Sequence, residues 1–169
     1  MGGTGSGNWY PRGNRKTTVE DSCALSVTNF RGRLFHGASG EFTWTYQGHE
    51  EATIGYFVRW SETVPTITLE YYWREREDIK VPIRLQSTPT QFAGKRWWFT
   101  CPLIVEGREC NRRVGKLYLP PGEKYFGCRH CHELTYRSCQ EAHQLQRALA
   151  QAGMYYDPAL VREMFRSGD

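Results

Sequence analysis

Four cysteines constrain this chain more than any other feature: Cys101, Cys110, Cys128 and Cys131. Cys128-Arg129-His130-Cys131 is a C-x-x-C pair, which places two thiolates at the span a tetrahedral zinc ion needs. The first pair is looser, with eight residues between Cys101 and Cys110. Seventeen residues, 111–127, separate the two halves, enough for a β-hairpin that brings both knuckles together. The reading is a structural Zn2+ site of the zinc-ribbon type, in which four thiolates close the metal shell and leave no catalytic position. Buried free thiols, or a disulfide pair, are the competing readings. Cys139, eight residues beyond Cys131, reads as a half-buried helix thiol, and Cys23 as a core thiol.

The rest of the chain is globular and strand-prone. Its 169 residues allow one moderate domain or a domain with a small appendage. Aromatic residues make up 14% of it, and six Trp, ten Tyr and eight Phe favour strands over helices. No apolar run approaches the ~18 residues of a membrane span. The N-terminus lacks the apolar core of a signal peptide. The expected compartment is the reducing cytoplasm, with no membrane partner, where clustered cysteines read as metal ligands before disulfides.

Charge divides the chain into four segments. Residues 1–19 carry +3, residues 20–93 carry −3, residues 94–139 carry +5 and residues 140–169 carry −1. The basic charge therefore sits on the N-terminal arm and around the cysteines, beside a mildly acidic middle, an asymmetry that suggests a polyanion-binding end.

Residues 1–19 read as a flexible Gly-rich basic arm. Ala24–Val27 reads as a short strand, followed by a short helix from Asn29 capped by Thr28. A meander follows in residues 20–93. Phe42, Trp44 and Tyr46 alternate with polar residues. Ile54, Tyr56, Val58 and Trp60 do the same, as do Ile67, Leu69, Tyr71 and Trp73, and then Ile79, Val81, Ile83 and Leu85. Turns are expected at Gln47–Glu50 and in the charged run Arg74–Asp78, and Pro82 places its strand at an edge or bulge. The aromatic stripe reads as core, with a base-stacking platform as the other reading. Residues 94–137 read as the ribbon, with strands at Arg96–Phe99 and Val114–Leu119 and a turn at Pro120-Pro121-Gly122. Residues 138–169 form a helical tail. Ser138 and Glu141 read as a capping box for a helix over about 139–152, with Leu145, Leu149 and Ala152 on its apolar face. Asp157-Pro158 reads as the start of a second helix. The fold class is thus mainly β: an antiparallel meander, a four-cysteine ribbon and a short C-terminal helical tail.

The Met-Gly-Gly-x-Gly-Ser-Gly start, RWWFTCP from Arg96, CNRRVGKLYLPP from Cys110 and YFGCRHCHELTYRS from Tyr125 resemble small uncharacterised zinc-ribbon proteins of bacteria and their phages. The resemblance covers the first seven residues and roughly 94–140. It implies that the Gly-rich start is native and that Cys101, Cys110, Cys128 and Cys131 are the metal ligands. It brings no activity with it. The knuckle spacing is also similar to the terminal ribbons of bacterial type I topoisomerases, which bind single-stranded DNA, a likeness at the level of fold.

The enzymatic alternative is an HNH-type nuclease, because Cys128–His132 looks like the C-x-x-C-His end of that motif. Such a site needs an upstream histidine as general base, and no histidine lies between His49 and His130. The chain is therefore read as a non-enzyme. His130 and His132 read as exposed knuckle residues or as donors to zinc-bound thiolates. A binding role has more to stand on. Arg12, Arg15 and Lys16 on the arm, and Arg96, Arg112, Arg113, Lys116, Arg129 and Arg137 around the knuckles, offer phosphate contacts. Trp98 offers a stacking ring, and Trp97 points to the opposite face of the same strand. The competing reading of these arginines is that they offset the negative charge of the zinc–thiolate centre. The expected partner is a nucleic acid, DNA or RNA. The alternative is a phage or mobile-element module that docks on a protein of a host nucleoprotein complex.

Overall fold

The computed structural model describes residues 16–46, 49–61, 65–73, 77–91 and 93–151. Most of the Gly-rich arm, including Arg12 and Arg15, lies outside them, as do residues 47–48 and 74–76 of the expected turns and the second tail helix. The fold is mainly β and antiparallel.

Strand β1 (Cys23–Ser26) leads into a short 3₁₀ helix (Val27–Phe30). The cap of this helix is Ser26 rather than Thr28. Ser26 Oγ accepts from the Thr28 N–H at 3.3 Å, and the Ser26 N–H donates to Asn29 Oδ1 at 2.8 Å. The hydroxyl that ends the strand takes the first orphan donor, so the helix begins before Thr28 can cap it. The meander follows as β2 (Ser39–Tyr46), β3 (His49–Trp60), β4 (Pro65–Trp73) and β5 (Glu77–Pro89). After it come β6 (Lys95–Thr100), β7 (Ile104–Val105), β8 (Arg108–Glu109), β9 (Arg113–Val114) and β10 (Lys116–Leu119).

The large sheet has the order β2-β3-β4-β5-β6-β9, while β1 pairs with β10 and β7 with β8. The strand expected at Val114–Leu119 is split at Gly115: β9 joins the large sheet and β10 turns away to pair with β1. Pairing continues across residues 93 and 94, because β5 and β6 are register partners from Leu85↔Phe99 to Pro89↔Lys95. The charge boundary there falls inside one sheet. The chain divides instead into compact units 1–134 and 135–169. Pro82 pairs with Thr68 on β4, and the β6 ladder begins only at Leu85. Its missing N–H therefore costs no ladder bond on the second side.

The alternating residues are the core. Ile54, Tyr56, Val58, Ile67, Leu69, Tyr71, Ile79, Val81, Ile83 and Leu85 are all buried, and Leu25 and Leu117 on β1 and β10 join them. Phe30 sits at the centre, its ring 5.1 Å from Phe42, 5.0 Å from Tyr56 and 5.9 Å from Phe99, each edge to face. Edge-to-face pairs place the positive ring edge on a negative ring face, a preference beyond simple burial. Of the aromatic stripe, Tyr56 and Tyr71 are core and Phe42, Trp44 and Trp73 pack partly buried against it, while Trp60 is 39% exposed. Phe126, two residues before Cys128, packs against Tyr71 and Trp44 with centroids 5.7 and 6.2 Å apart. Tyr71 Oη donates to the Lys124 carbonyl at 2.9 Å, and Trp73 Nε1 to the Glu123 carbonyl at 3.2 Å. These contacts tie the segment entering the second knuckle to β4.

In the second unit, α1 spans Arg137–Gln151. The Tyr136 carbonyl accepts from Cys139 and Gln140, so Ser138 lies inside the first turn and not at its cap. No helix among the described residues is long and apolar enough to cross a membrane.

Candidate metal centre and a basic aromatic surface

The eight residues between Cys101 and Cys110 form a small hairpin. Strands β7 and β8 pair through Ile104↔Glu109 and Val105↔Arg108. Glu106 and Gly107 both take positive φ, 50° and 75°, the twist that a two-residue hairpin turn requires. Pairing draws the two cysteines together, and the Cys110 N–H donates to the Leu103 carbonyl at 2.9 Å. The Cys101 N–H donates to the Arg112 carbonyl at 2.9 Å. On the other side, Tyr118 and Gly127 exchange backbone bonds of 2.7 and 2.9 Å and deliver Cys128 to the site. The loop after Cys128 is closed by Leu134 N–H to the Arg129 carbonyl at 2.9 Å, while Arg129 Nη1 donates to the Leu134 carbonyl at 3.3 Å.

The four cysteine sulfurs all lie within 4.8 Å of one another, a group that can hold a metal ion. Cys101 and Cys131 are 3.9 Å apart, Cys110 and Cys128 3.9 Å, and Cys128 and Cys131 3.5 Å. These separations are far beyond a disulfide bond of about 2.0 Å, and all four residues are free thiols. The Cys128 N–H donates to Cys101 Sγ at 3.2 Å. Burial pushes the Cys101 thiol up to about 11 against that bond. Burial acts on Cys128 in the same sense, but hydrogen bonds from the Cys131 backbone and thiol and from the His130 backbone outweigh it and hold Cys128 at about 7. Arg112 Nη1 lies 3.7 Å from Cys128 Sγ.

The expected phosphate-binding residues fall into separate places. Arg112 and Arg129 belong to the knuckles. Arg96, Arg113 and Trp98 come together on the outer face of the large sheet. The Arg96 guanidinium carbon is 4.4 Å from the Trp98 ring centroid and that of Arg113 is 5.5 Å from it. Trp98 Nε1 donates to Thr88 Oγ1 at 3.0 Å, which fixes the indole. Trp97, on the opposite face, packs edge to face on Trp60 at 5.6 Å. Lys16 is exposed, and Arg137 opens α1 in the second unit.

Beside Trp98 lies a groove of about 890 Å³ whose lining includes Arg31, Lys95, Arg96, Trp97, Trp98 and Lys116. No carboxylate is among the described residues that line it. His130 is exposed. His132 is half-buried with Nε2 lacking a hydrogen-bond partner among the described residues, and burial lowers its pKa. It faces Gly127 and makes no described bond to the cysteine sulfurs. Arg59 and Arg84, exposed on the same sheet face as Trp98, carry no motif and stand out only once the strands are in register. Comparison with protein-family models, curated proteins and solved structures gives no match for this chain.

Proposed function

We propose that this chain is a non-enzymatic nucleic-acid-binding protein whose four cysteines hold a structural zinc ion. The observation that carries this reading is the groove of Arg31, Lys95, Arg96 and Lys116 beside a tryptophan, with no carboxylate among the described residues that line it. Guanidinium and ammonium groups attract phosphates, and an indole ring stacks on unpaired bases without regard to sequence. Among the described residues, Arg31, Lys95 and Lys116 are in no ion pair, so their charge is available to a polyanion.

The sulfur separations support zinc. A tetrahedral ion with Zn–S bonds of about 2.3 Å spaces its sulfurs about 3.8 Å apart, close to the 3.5 and 3.9 Å found here. Four thiolates fill the shell, and the ion then braces the fold instead of activating water. Arg112 beside Cys128 offsets part of the negative charge of such a centre. The likeness of the cysteine segments to zinc-ribbon proteins of bacteria and phages agrees with this role.

The test is binding of the purified zinc-loaded protein to labelled single- and double-stranded DNA and RNA across salt concentration. Micromolar or tighter binding that weakens steeply with salt, and that is lost in an Arg96→Ala/Lys116→Ala variant, is the expected result. Absence of binding at low salt overturns the reading.

A further inference from the structure

We infer that the outer face of the large sheet, along Arg59, Arg84 and Arg113 with Trp98 beside them, is a track for single-stranded nucleic acid. The inference rests on the nucleic-acid reading above and gives it a location and a ligand form.

Register places the three arginines in one row. Arg59 on β3 pairs with Thr66 on β4, and Thr66 pairs with Arg84 on β5. The Leu85↔Phe99 pair sets Arg84 beside Thr100 on β6, and Thr100 pairs with Arg113 on β9. Directly paired residues share a face, so the row runs across five strands on the side away from the core. All three arginines are exposed. With strands about 4.8 Å apart, successive arginines stand two strand intervals apart, about 10 Å. Arg84 Nη2 donates to Asn111 Oδ1 at 2.6 Å, and Asn111 Nδ2 in turn donates to Glu109 Oε2 at 2.8 Å, so the guanidinium is positioned through an amide and not by a direct ion pair.

Trp98 lies one step along β6 from Thr100 on the same face, as does Gln86 on β5, whose Nε2 donates to Thr100 Oγ1 at 2.8 Å. Phe57, two residues from Arg59 on β3 and 37% exposed, adds a second ring to that face. The described carboxylate of β4 on this face, Glu70, lies further along the sheet and is bonded to Lys80 at 3.2 Å. One end of the face is therefore cationic and aromatic, the complement of a polyanion with open bases. Duplex bases are stacked on each other and offer no ring face to Trp98 or Phe57, whereas unpaired bases do. A chain crossing the row also enters the groove at Arg96 and Trp98, which border both surfaces.

The test uses the zinc-loaded full-length protein and fluorescence anisotropy with labelled single-stranded DNA and RNA oligonucleotides and the matching duplexes. Single strands are expected to bind at least 10-fold tighter than duplexes, and the DNA and RNA arms identify which polymer is preferred. Arg59→Glu/Arg84→Glu is expected to weaken single-strand binding at least 10-fold and to flatten its salt dependence. Trp98→Ala is expected to weaken it about 5- to 150-fold and Trp98→Phe to restore most of the loss. Lys80→Gln, which removes a cation elsewhere on the sheet, keeps wild-type affinity. Zinc content and thermal unfolding establish that each variant is folded. If Trp98→Ala is not, the exposed arginine pair still decides. Wild-type binding that survives the arginine reversal, or that is as tight for duplex, overturns the track while nucleic-acid binding stands. No binding of any polymer by the wild type overturns both.

Discussion

Arg112 directs its guanidinium at the sulfur of Cys128, 3.7 Å away. That bond, reinforced by the charge of the neighbouring thiols, holds the guanidinium more firmly protonated than usual. Removing a partner that orients and neutralises a metal ligand typically costs 10- to 100-fold in metal affinity. Arg112→Ala is expected to lose about that much in competition with a chromogenic chelator, with Arg112→Lys intermediate. If Arg112→Ala retains wild-type metal affinity, the contact has no role in holding the ion.

Metal loading should depend on pH in one direction. The thiols must lose their protons to bind an ion, and Cys101 holds its proton up to about 11 in the absence of metal. The apparent metal affinity is expected to rise with pH between 6 and 8, with protons released on binding. Titration in two buffers of different ionisation enthalpy measures that release, and equal heats in both would contradict it.

Tyr71 predicts an alkaline limit on stability. Burial raises its phenol from 10.0 to about 12, against a backbone hydrogen bond from Phe126. The folded value lies above the unfolded one, so the contribution to stability is complete below pH 10 and is lost as pH climbs toward 12. Tyr71→Phe should cost about 0.5–1.5 kcal/mol near neutrality through its bond to the Lys124 carbonyl. It should also flatten this alkaline decline. Urea titrations of both proteins at pH 8 and pH 11 make the comparison.

Gly127 is placed where a side chain does not fit. A Cβ there would lie 2.7 Å from His132 Nε2 and would collide with the side chain of Leu103. Gly127→Ala is expected to destabilise the protein by about 1–3 kcal/mol through overpacking. Shortening the neighbour in Gly127→Ala/Leu103→Ala should recover part of that loss. A thermal midpoint equal to wild type in the single variant would mean that the knuckle yields freely.

Phe126 links the knuckle to the sheet and is fully buried. Phe126→Ala is expected to cost about 3–5 kcal/mol by leaving a cavity against Tyr71 and Trp44. Metal binding should weaken with it, because Cys128 follows two residues later. Denaturant unfolding with and without chelator separates the two effects.

The meander was legible because inward and outward residues alternate in the strands from Phe42 to Leu85. Period-2 patterning is local, and each strand carries its own copy. The cysteine cluster was legible for a similar reason, since C-x-x-C spacing is set within four residues. The partner of β1 was not, because Leu25 meets Leu117 only through the tertiary fold. Nor was the break at Gly115: the Val114–Leu119 run reads as one strand until its halves are seen in different sheets. Cys139 was expected to be half-buried but is exposed, and it sits in the first turns of α1. Arg59 and Arg84 looked like any solvated charge on a strand, and only register aligns them with Arg113. The cations flanking the cysteines were visible as a group, yet composition alone did not separate Arg112, turned to a sulfur, from Arg113, turned to an indole.

The pairing of β1 with β10 also has a bearing on how the protein is made. Cys23 meets Leu119, 96 residues later in the chain. At a synthesis rate of about 5–20 residues per second, some 5–20 s separate the emergence of the two partners from the ribosome. For that interval Leu25 has no strand to lie against, and closing so long a loop carries an entropic cost that local contacts cannot offset early. The meander can assemble as it emerges. The first strand must wait for nearly the last one, and the second cysteine knuckle emerges just after it.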